Sequence, residues 1–193
     1  MAKITPEVIK VWSKILSEVS GSRLILKNMA LSDEESTQRL VDQFKAHGID
    51  KDRLLLLART ENNEQHLKKY HLIDIALDTF PYNGTTTTCD ALWMGVPVIV
   101  LEGNSHVSRV GVSQMSNMGL PELIAKNQQD YVRIAVELAA DLDRLQTLRA
   151  GMRERMRNSP LMDAKRLTGH LENVYRDVWQ QWCEKQTADG DRT

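Results

Sequence analysis

Short apolar segments alternate with amphipathic ones along this chain, and this alternation restricts the fold more than any other feature. We predict strands over residues 24–26, 53–58, 73–79, 96–101 and 123–124. A strand and a helix recur roughly every 25 residues, which is typical of a parallel sheet with helices on both faces. We therefore predict an α/β fold with a doubly wound, Rossmann-like parallel sheet.

Helix signals fill the segments between these strands. Thr5 and Pro6 form a typical helix opening, with an N-cap candidate followed by proline at the first helical position. Ser32 with Glu35 resembles a capping box that begins a helix reaching to about residue 48. Further helices are predicted over residues 62–71 and 107–118 and, with one long break at 158–160, from about residue 127 onwards.

Composition restricts the class of protein. A length of 193 residues suits one α/β domain, and a net charge of -1 disfavours binding to nucleic acid or to an acidic membrane. The two cysteines, Cys89 and Cys183, are far apart and lack metal-ligand spacing. We therefore expect neither disulfides nor zinc, and a reducing, cytoplasmic location. No apolar run is long enough to span a bilayer, so we expect no membrane partner.

The segment 78–100 carries the strongest functional signal. An apolar strand leads into a Pro/Asn/Gly turn, four threonines, an amphipathic stretch and a second apolar strand. Backbone N–H groups at a helix start favour an anion, and threonine hydroxyls add further donors. Asp90, one turn into the helix, would repel a phosphate but could accept a hydrogen bond from a sugar hydroxyl. This combination suits a nucleoside diphosphate with its ribose.

An ordinary capped helix is the alternative interpretation of the same residues. Threonine and aspartate are both good N-caps, and Asn-Gly is a common turn. One cap needs one such residue, however, whereas Thr85–Thr88 supplies four. The sequence has no Gly-rich dinucleotide fingerprint and no Walker loop, which disfavours an NAD enzyme or a P-loop NTPase. No carboxylate cluster has metal spacing, so we expect neither a metal nor another cofactor.

Residues 66–114 resemble the carboxyl-terminal lobe of the O-linked N-acetylglucosamine transferase family. The matching residues are His66, Asp74, Leu77, Asp78, Thr79, Asn83, Gly84, Thr86, Thr87, Asp90, Leu92, Trp93, Gly95, Pro97, Ser108, Arg109 and Gln114. The family consists of GT-B glycosyltransferases with two facing Rossmann-like lobes, often preceded by tetratricopeptide repeats. Similarity continues at 122–127, at 159–161 and at Lys3. The resemblance implies that residues 1–193 are one lobe with a helical C-terminal tail.

The resemblance also implies roles for individual residues. Thr86 and Thr87 are expected to bind the pyrophosphate, and Asp90 the ribose hydroxyls. Lys3 is expected to act catalytically, by contacting the phosphates and helping UDP to leave. His66 is expected to lie near the nucleotide. No metal is implied, because cationic side chains and helix N–H groups offset the charge of the leaving group.

The rest of the expected donor site includes departures from the family pattern. Asn83 and Gly84 match the family, but Thr85 stands where well-known members carry a histidine. Lys69 replaces a family arginine, which retains the charge but not the bidentate fork. The loop at 60–64 does not match the Pro-Lys segment that helps to hold uridine in the family. The departure at 60–64 therefore falls on the part of the expected site that would recognise the nucleobase.

We predict the UDP-sugar-binding lobe of a protein O-glycosyltransferase that transfers N-acetylglucosamine from UDP-N-acetylglucosamine to Ser or Thr. The resemblance implies that protein acceptors are oriented by an amino-terminal lobe and helical repeats, neither of which is in this sequence. We therefore expect the chain to be inactive alone. Two alternatives remain: the same fold with a glucose or fucose donor, and a non-catalytic nucleotide-binding or interaction domain.

Overall fold

Parallel strands form the framework of the fold. The computed structural model describes residues 3–190, with side chains as far as residue 186. β1 (Leu24–Lys27) pairs with β2 (Leu54–Leu57), and β3 (Ala76–Leu77), β4 (Val98–Leu101) and β5 (Ile124–Ala125) form a second sheet in that order. Every pair is parallel. The predicted α/β class is confirmed, with the strands in two hydrogen-bonded groups.

Helices lie between the strands along the chain, as the alternation predicts. They are α1 (Pro6–Glu18), α2 (Glu34–Lys45), α3 (Asn63–Lys68), α4 (Thr86–Trp93), α5 (Val110–Asn117), α6 (Gln128–Ala140), α7 (Leu142–Arg157) and α8 (Ala164–Gly190). Short 3₁₀ turns link several of these elements. In the described part of the chain, 3–190, no helix is both long and apolar enough to cross a membrane.

The central strand β4 is covered on both faces. Successive side chains of a strand point to opposite faces, and both Ile99 and Val100 are 0% exposed. Gly111 of α5 lies directly against Val100, since a Cβ added there would be 2.8 Å from the Val100 Cγ1 atom. Burial on both faces is the property of parallel sheets that makes their strands continuously apolar.

One hydrophobic cluster joins the two sheets and most of the helices. It includes Trp12 of α1, Phe44 of α2, Leu92 of α4 and Tyr131 of α6, all of them buried. The Trp12 indole N–H donates to the Tyr131 hydroxyl at 3.4 Å, and that hydroxyl donates to the Asp78 carbonyl at 2.8 Å. This chain of contacts fixes the carboxyl end of β3. The segment 79–88, called here the threonine loop, begins at that point.

The boundaries of two helices differ from the sequence prediction. α2 is capped by Asp33 and not by Ser32, because the Asp33 carboxylate accepts from the Ser36 N–H at 2.7 Å. The Ser32 hydroxyl donates to the Met29 carbonyl instead and closes a 3₁₀ turn. A break that was not predicted separates α6 from α7 at Asp141, whose side chain accepts from the Arg144 N–H at 3.0 Å.

Candidate nucleotide site

The threonine loop leaves the carboxyl end of β3, where doubly wound proteins bind their ligands. Asn83, which is 1% exposed, maintains the shape of this loop. The Asn83 side-chain amide donates to the Thr79 carbonyl at 3.0 Å, and its oxygen accepts from the Gly111 N–H at 3.2 Å. Asn83 is a predicted binding residue, and both of its side-chain polar atoms are engaged within the protein. Its observed role is to hold the loop against α5.

Gly84 is packed so closely that a side chain at this position would force its neighbours to move. A Cβ at this position would be 2.7 Å from the Thr88 hydroxyl and 2.9 Å from the Thr87 hydroxyl. The Gly84 N–H donates to the Asp78 carboxylate at 2.7 Å. Gly84 thus lets the loop pass directly beneath the first turn of α4, where the threonine hydroxyls are grouped.

The threonines at the start of α4 divide into exposed and buried residues. Thr85, Thr86 and Thr87 are exposed, whereas Thr88 is buried. Thr85 is the N-cap residue, yet its side chain makes no capping hydrogen bond. The interpretation of this run as an ordinary side-chain cap is therefore not supported. The exposed threonines remain at a helix start whose unpaired N–H groups favour an anion.

Lys3 reaches the same loop from the other end of the sequence. Its ammonium group donates to the Asn83 carbonyl at 2.8 Å and lies 4.0 Å from the centre of the Tyr82 ring. The structure therefore brings Lys3 to the threonine loop, whereas its expected contact with the phosphates stays a prediction. A cation on this loop would offset part of the charge of a bound diphosphate.

His66 and Asp90 also meet, across the gap between α3 and α4. The His66 Nε2 atom lies 3.5 Å from an Asp90 carboxylate oxygen, and both side chains are about one-third exposed or less. The His66 Nδ1 atom lies 2.7 Å from the ammonium group of Lys27, which also donates to the Thr60 hydroxyl at 2.9 Å. Asp90 therefore adjoins the threonine loop on one side and His66 on the other.

Lys27 was not among the predicted site residues. It is the last residue of β1, and a polar residue at the carboxyl end of a parallel strand was the available signal. Burial lowers the pKa of Lys27 from its ordinary value, and the positive charges of Arg59 and Lys69 lower it further. Lys69, a predicted binding residue, thus belongs to a group of cations around Lys27.

Asp78 is the buried acid beneath the site. One of its carboxylate oxygens accepts from the N–H groups of Thr79 and Gly84, at 2.9 and 2.7 Å. Within the described residues, the other carboxylate oxygen has no hydrogen-bond partner. Burial raises the pKa of Asp78 to about 7, although the two backbone hydrogen bonds and the charge of Lys3 act in the opposite direction.

No group of His, Cys, Asp and Glu side chains suited to a metal ion occurs in the part of the chain that the structure describes. The expectation that nucleotide binding needs no metal or other cofactor stays a prediction. The predicted residues Lys3, His66, Asn83, Gly84, Thr85–Thr87 and Asp90 nevertheless belong to one contiguous region at the strand ends.

Comparison with known proteins assigns the family. A family profile described as glycosyl transferase family 41 matches residues 1–171. The chain belongs to glycosyl transferase family 41. This confirms the resemblance to O-linked N-acetylglucosamine transferases that the threonine loop indicates.

Relatives of this family 41 chain cover nearly all of it. A tomato protein named probable UDP-N-acetylglucosamine–peptide N-acetylglucosaminyltransferase SPINDLY is 44% identical over 95% of this chain and 20% of its own length. A Caenorhabditis elegans UDP-N-acetylglucosamine–peptide N-acetylglucosaminyltransferase is 34% identical over 93% of this chain and 15% of its own length. The chain thus spans about a fifth of the curated relatives that it matches.

A solved structure of the family agrees with the fold. A mutant O-GlcNAc transferase from Thermobaculum terrenum superposes with a TM-score of 0.90 at 38% identity. The match covers 95% of this chain and 35% of that protein. The predicted GT-B lobe is thereby confirmed as the fold class, including its helical carboxyl-terminal region.

Proposed function

We propose that this chain is the nucleoside-diphosphate-sugar-binding lobe of a protein O-glycosyltransferase. The donor is UDP-N-acetylglucosamine and the acceptors are Ser or Thr side chains of proteins. The observation that carries the proposal is the threonine loop. Three exposed threonines stand at the start of α4, above a glycine whose replacement would force the Thr87 and Thr88 hydroxyls to move.

The surrounding residues support a diphosphate in that position. Thr86 and Thr87 supply hydroxyl donors beside the helix N–H groups, and Lys3 supplies a positive charge on the same loop. Donors and charges fixed before the reaction stabilise the charge that develops on a leaving diphosphate. Asp90, one turn further into α4, would accept hydrogen bonds from the ribose hydroxyls. The names of the curated relatives specify UDP-N-acetylglucosamine and peptide acceptors, which favours this donor and this acceptor class.

In the proposed reaction, the acceptor hydroxyl oxygen bonds to the anomeric carbon while the bond from that carbon to the diphosphate breaks. The diphosphate keeps the electron pair, and Lys3 and the threonine loop take up its charge. The proton of the hydroxyl passes to a base, which we place in the remainder of the protein. Residues 1–193 are in this proposal one donor-binding lobe, located in the cytoplasm.

Calorimetric titration with UDP, UMP and uridine tests the proposal. We expect UDP to bind most tightly, because the diphosphate contacts supply most of the affinity. EDTA should not weaken the binding, since the protein itself offsets the phosphate charge. Equal affinity for UDP and uridine would exclude the diphosphate assignment, and a strict requirement for magnesium or manganese would exclude the metal-free site.

The identity of the nucleobase in the donor is also tested by calorimetric titration. Thr85 and the loop at 60–64 depart from the family pattern at positions expected to contribute to donor binding. GDP and ADP are therefore titrated beside UDP under identical conditions. A preference for UDP supports the proposed donor. A preference for GDP or ADP would support the phosphate site but contradict UDP-N-acetylglucosamine as the donor.

A further inference from the structure

A line of polar contacts runs behind the threonine loop, from the end of β1 to α4. Lys27 contacts Thr60 at 2.9 Å and the His66 Nδ1 atom at 2.7 Å. On the other side of the imidazole ring, the Nε2 atom faces Asp90 at 3.5 Å. The line connects the β1–β2 sheet with α4, which follows β3.

The chemistry of Lys27 decides where the proton of His66 resides. An ammonium group has three donors and no acceptor, so an atom 2.7 Å from it must offer a lone pair. This contact favours an Nδ1 atom without a hydrogen, and a neutral ring would then carry its proton on Nε2. The hydrogen bond made by one ring nitrogen generally fixes the protonation of the other in this way.

Two further features hold the ring in this orientation. The Tyr70 ring meets His66 edge-on, with the ring centres 5.5 Å apart, and the Tyr70 hydroxyl donates to the Thr87 carbonyl at 3.2 Å. The Thr60 hydroxyl accepts from Lys27 and keeps the ammonium group beside Nδ1. The cations Arg59 and Lys69 together with burial lower the pKa of Lys27, which strengthens it as a hydrogen-bond donor.

We propose that Lys27 is a positioning residue that holds His66 as the Nε2–H tautomer, so that the ring presents an N–H group and not a lone pair to Asp90. His66 then cannot accept a proton at Nε2, which excludes it as a general base at that atom. The N–H group instead orients the Asp90 carboxylate. The value of that orientation for a nucleotide rests on the proposed function, whereas the tautomer does not.

Nitrogen-15 NMR of the imidazole side chains tests the tautomer without any nucleotide. The His66 signals are assigned by comparison with His66→Gln. We expect a protonated Nε2 and an unprotonated Nδ1 in the parent chain near neutral pH. Lys27→Met should give signals averaged between the two neutral tautomers, and Lys27→Arg, which retains donors, should restore the Nε2–H pattern at least in part.

Arg59→Met is the matched control, because it removes a neighbouring cation but leaves the Lys27 ammonium group beside the Nδ1 atom. It should leave the His66 pattern unchanged. An Nδ1–H tautomer or an imidazolium in the parent chain would overturn the proposal, as would an unchanged pattern in Lys27→Met. Circular dichroism establishes that each variant is folded, and Lys27→Leu replaces Lys27→Met if the latter does not fold.

Binding measurements separate positioning from direct phosphate contact. Lys27→Met should lower the affinity for UDP about fivefold, the effect of one hydrogen bond, and leave the affinity for inorganic pyrophosphate unchanged. An equal loss for both ligands would make Lys27 a phosphate ligand and overturn the positioning role. If the parent chain binds neither ligand, the proposed function fails, and the NMR result still decides the tautomer.

Discussion

The exposed hydroxyls of Thr86 and Thr87 can be removed without changing the shape of the side chains. We expect Thr86→Val with Thr87→Val to weaken UDP binding by a few kcal/mol or less, since hydrogen bonds to charged groups contribute roughly 1.5–3 kcal/mol each. Calorimetry provides the measurement. Thr147→Val, at an exposed position on α7, is the control and should bind UDP normally. Normal binding by the double variant would make the threonines structural.

The buried carboxyl of Asp78 should make stability depend on pH. Burial raises its pKa to about 7 from an ordinary 3.8, so the folded state binds this proton more tightly than the unfolded chain does. The stabilisation from Asp78 is therefore complete below about pH 4 and is lost as the pH rises through about 7. The slope cannot exceed about 1.4 kcal/mol per pH unit for one group.

Asp78→Asn removes this titration while retaining the oxygen that accepts from Thr79 and Gly84. We expect the stability of the variant relative to the parent chain to increase between pH 5 and pH 8, measured by urea denaturation. Asp74→Asn replaces an exposed carboxyl of the same segment and should show no such trend. A constant difference between Asp78→Asn and the parent chain would contradict a raised pKa.

At the scale of the elements, apolar patterning was sufficient for the order and type of the strands and helices. It was not sufficient for boundaries. Ser32 and Asp33 are adjacent and equally plausible caps, and only the backbone path decides which one reaches the helix N–H groups. β3 spans only two of the seven residues predicted. Its length is set by its pairing with β4, which covers those two residues, and not by the longer apolar pattern.

Candidate site residues that are close together in the sequence could be identified from it, whereas contacts between distant residues could not. The threonine loop is continuous in sequence, so its residues could be identified together. The position of Lys27 at a strand end was a signal, but its contacts could not be predicted, because Thr60 and His66 lie 33 and 39 residues away and no pattern links them. Asn83 was predicted to bind the ligand, but its side chain holds the loop against α5. The sequence could not show this, because Gly111, which donates to Asn83, is 28 residues away.

Helix α8 is the element that contributes least to the core. None of residues 164–186 is buried, and several large apolar side chains are exposed, including Leu171, Val178 and Trp182. Deleting residues 164–193 should therefore change Tm little and leave UDP affinity unaltered, measured by thermal denaturation and calorimetry. Ending the chain at residue 141 is the contrasting variant. It removes buried Leu145, Met152 and Met156 of α7 and should abolish folding.

At the scale of the whole molecule, this chain is a fraction of its relatives. It spans 20% of the tomato protein and 35% of the bacterial transferase, although nearly all of it aligns with each. Its potential ligand-binding groups are arranged at the threonine loop, where donors for a diphosphate are concentrated. We proposed that the base and the acceptor-binding surface lie in the remainder of the protein. Donor binding and sugar transfer should then be separable properties.

The chain alone should therefore have no transferase activity, although we expect it to bind UDP. Transfer requires the acceptor hydroxyl to be held in line with the anomeric carbon, and such positioning can be worth roughly 7–11 kcal/mol of the barrier. Lys3 and the threonine loop can stabilise departing UDP, but this proposal gives the chain no group that orients an acceptor. Water, present at high concentration, is the one nucleophile that needs little positioning, so slow hydrolysis is the greatest activity expected.

Incubation of the chain with UDP-N-acetylglucosamine and a Ser/Thr peptide, followed by intact-mass analysis of the peptide, provides the test. A full-length family 41 relative is the positive control. Efficient addition of one sugar by the chain alone would contradict the division of roles. The activities of His66→Gln and Lys27→Met would then be compared. A general base at the His66 Nε2 atom needs a lone pair there, and we propose that Lys27 keeps that atom protonated.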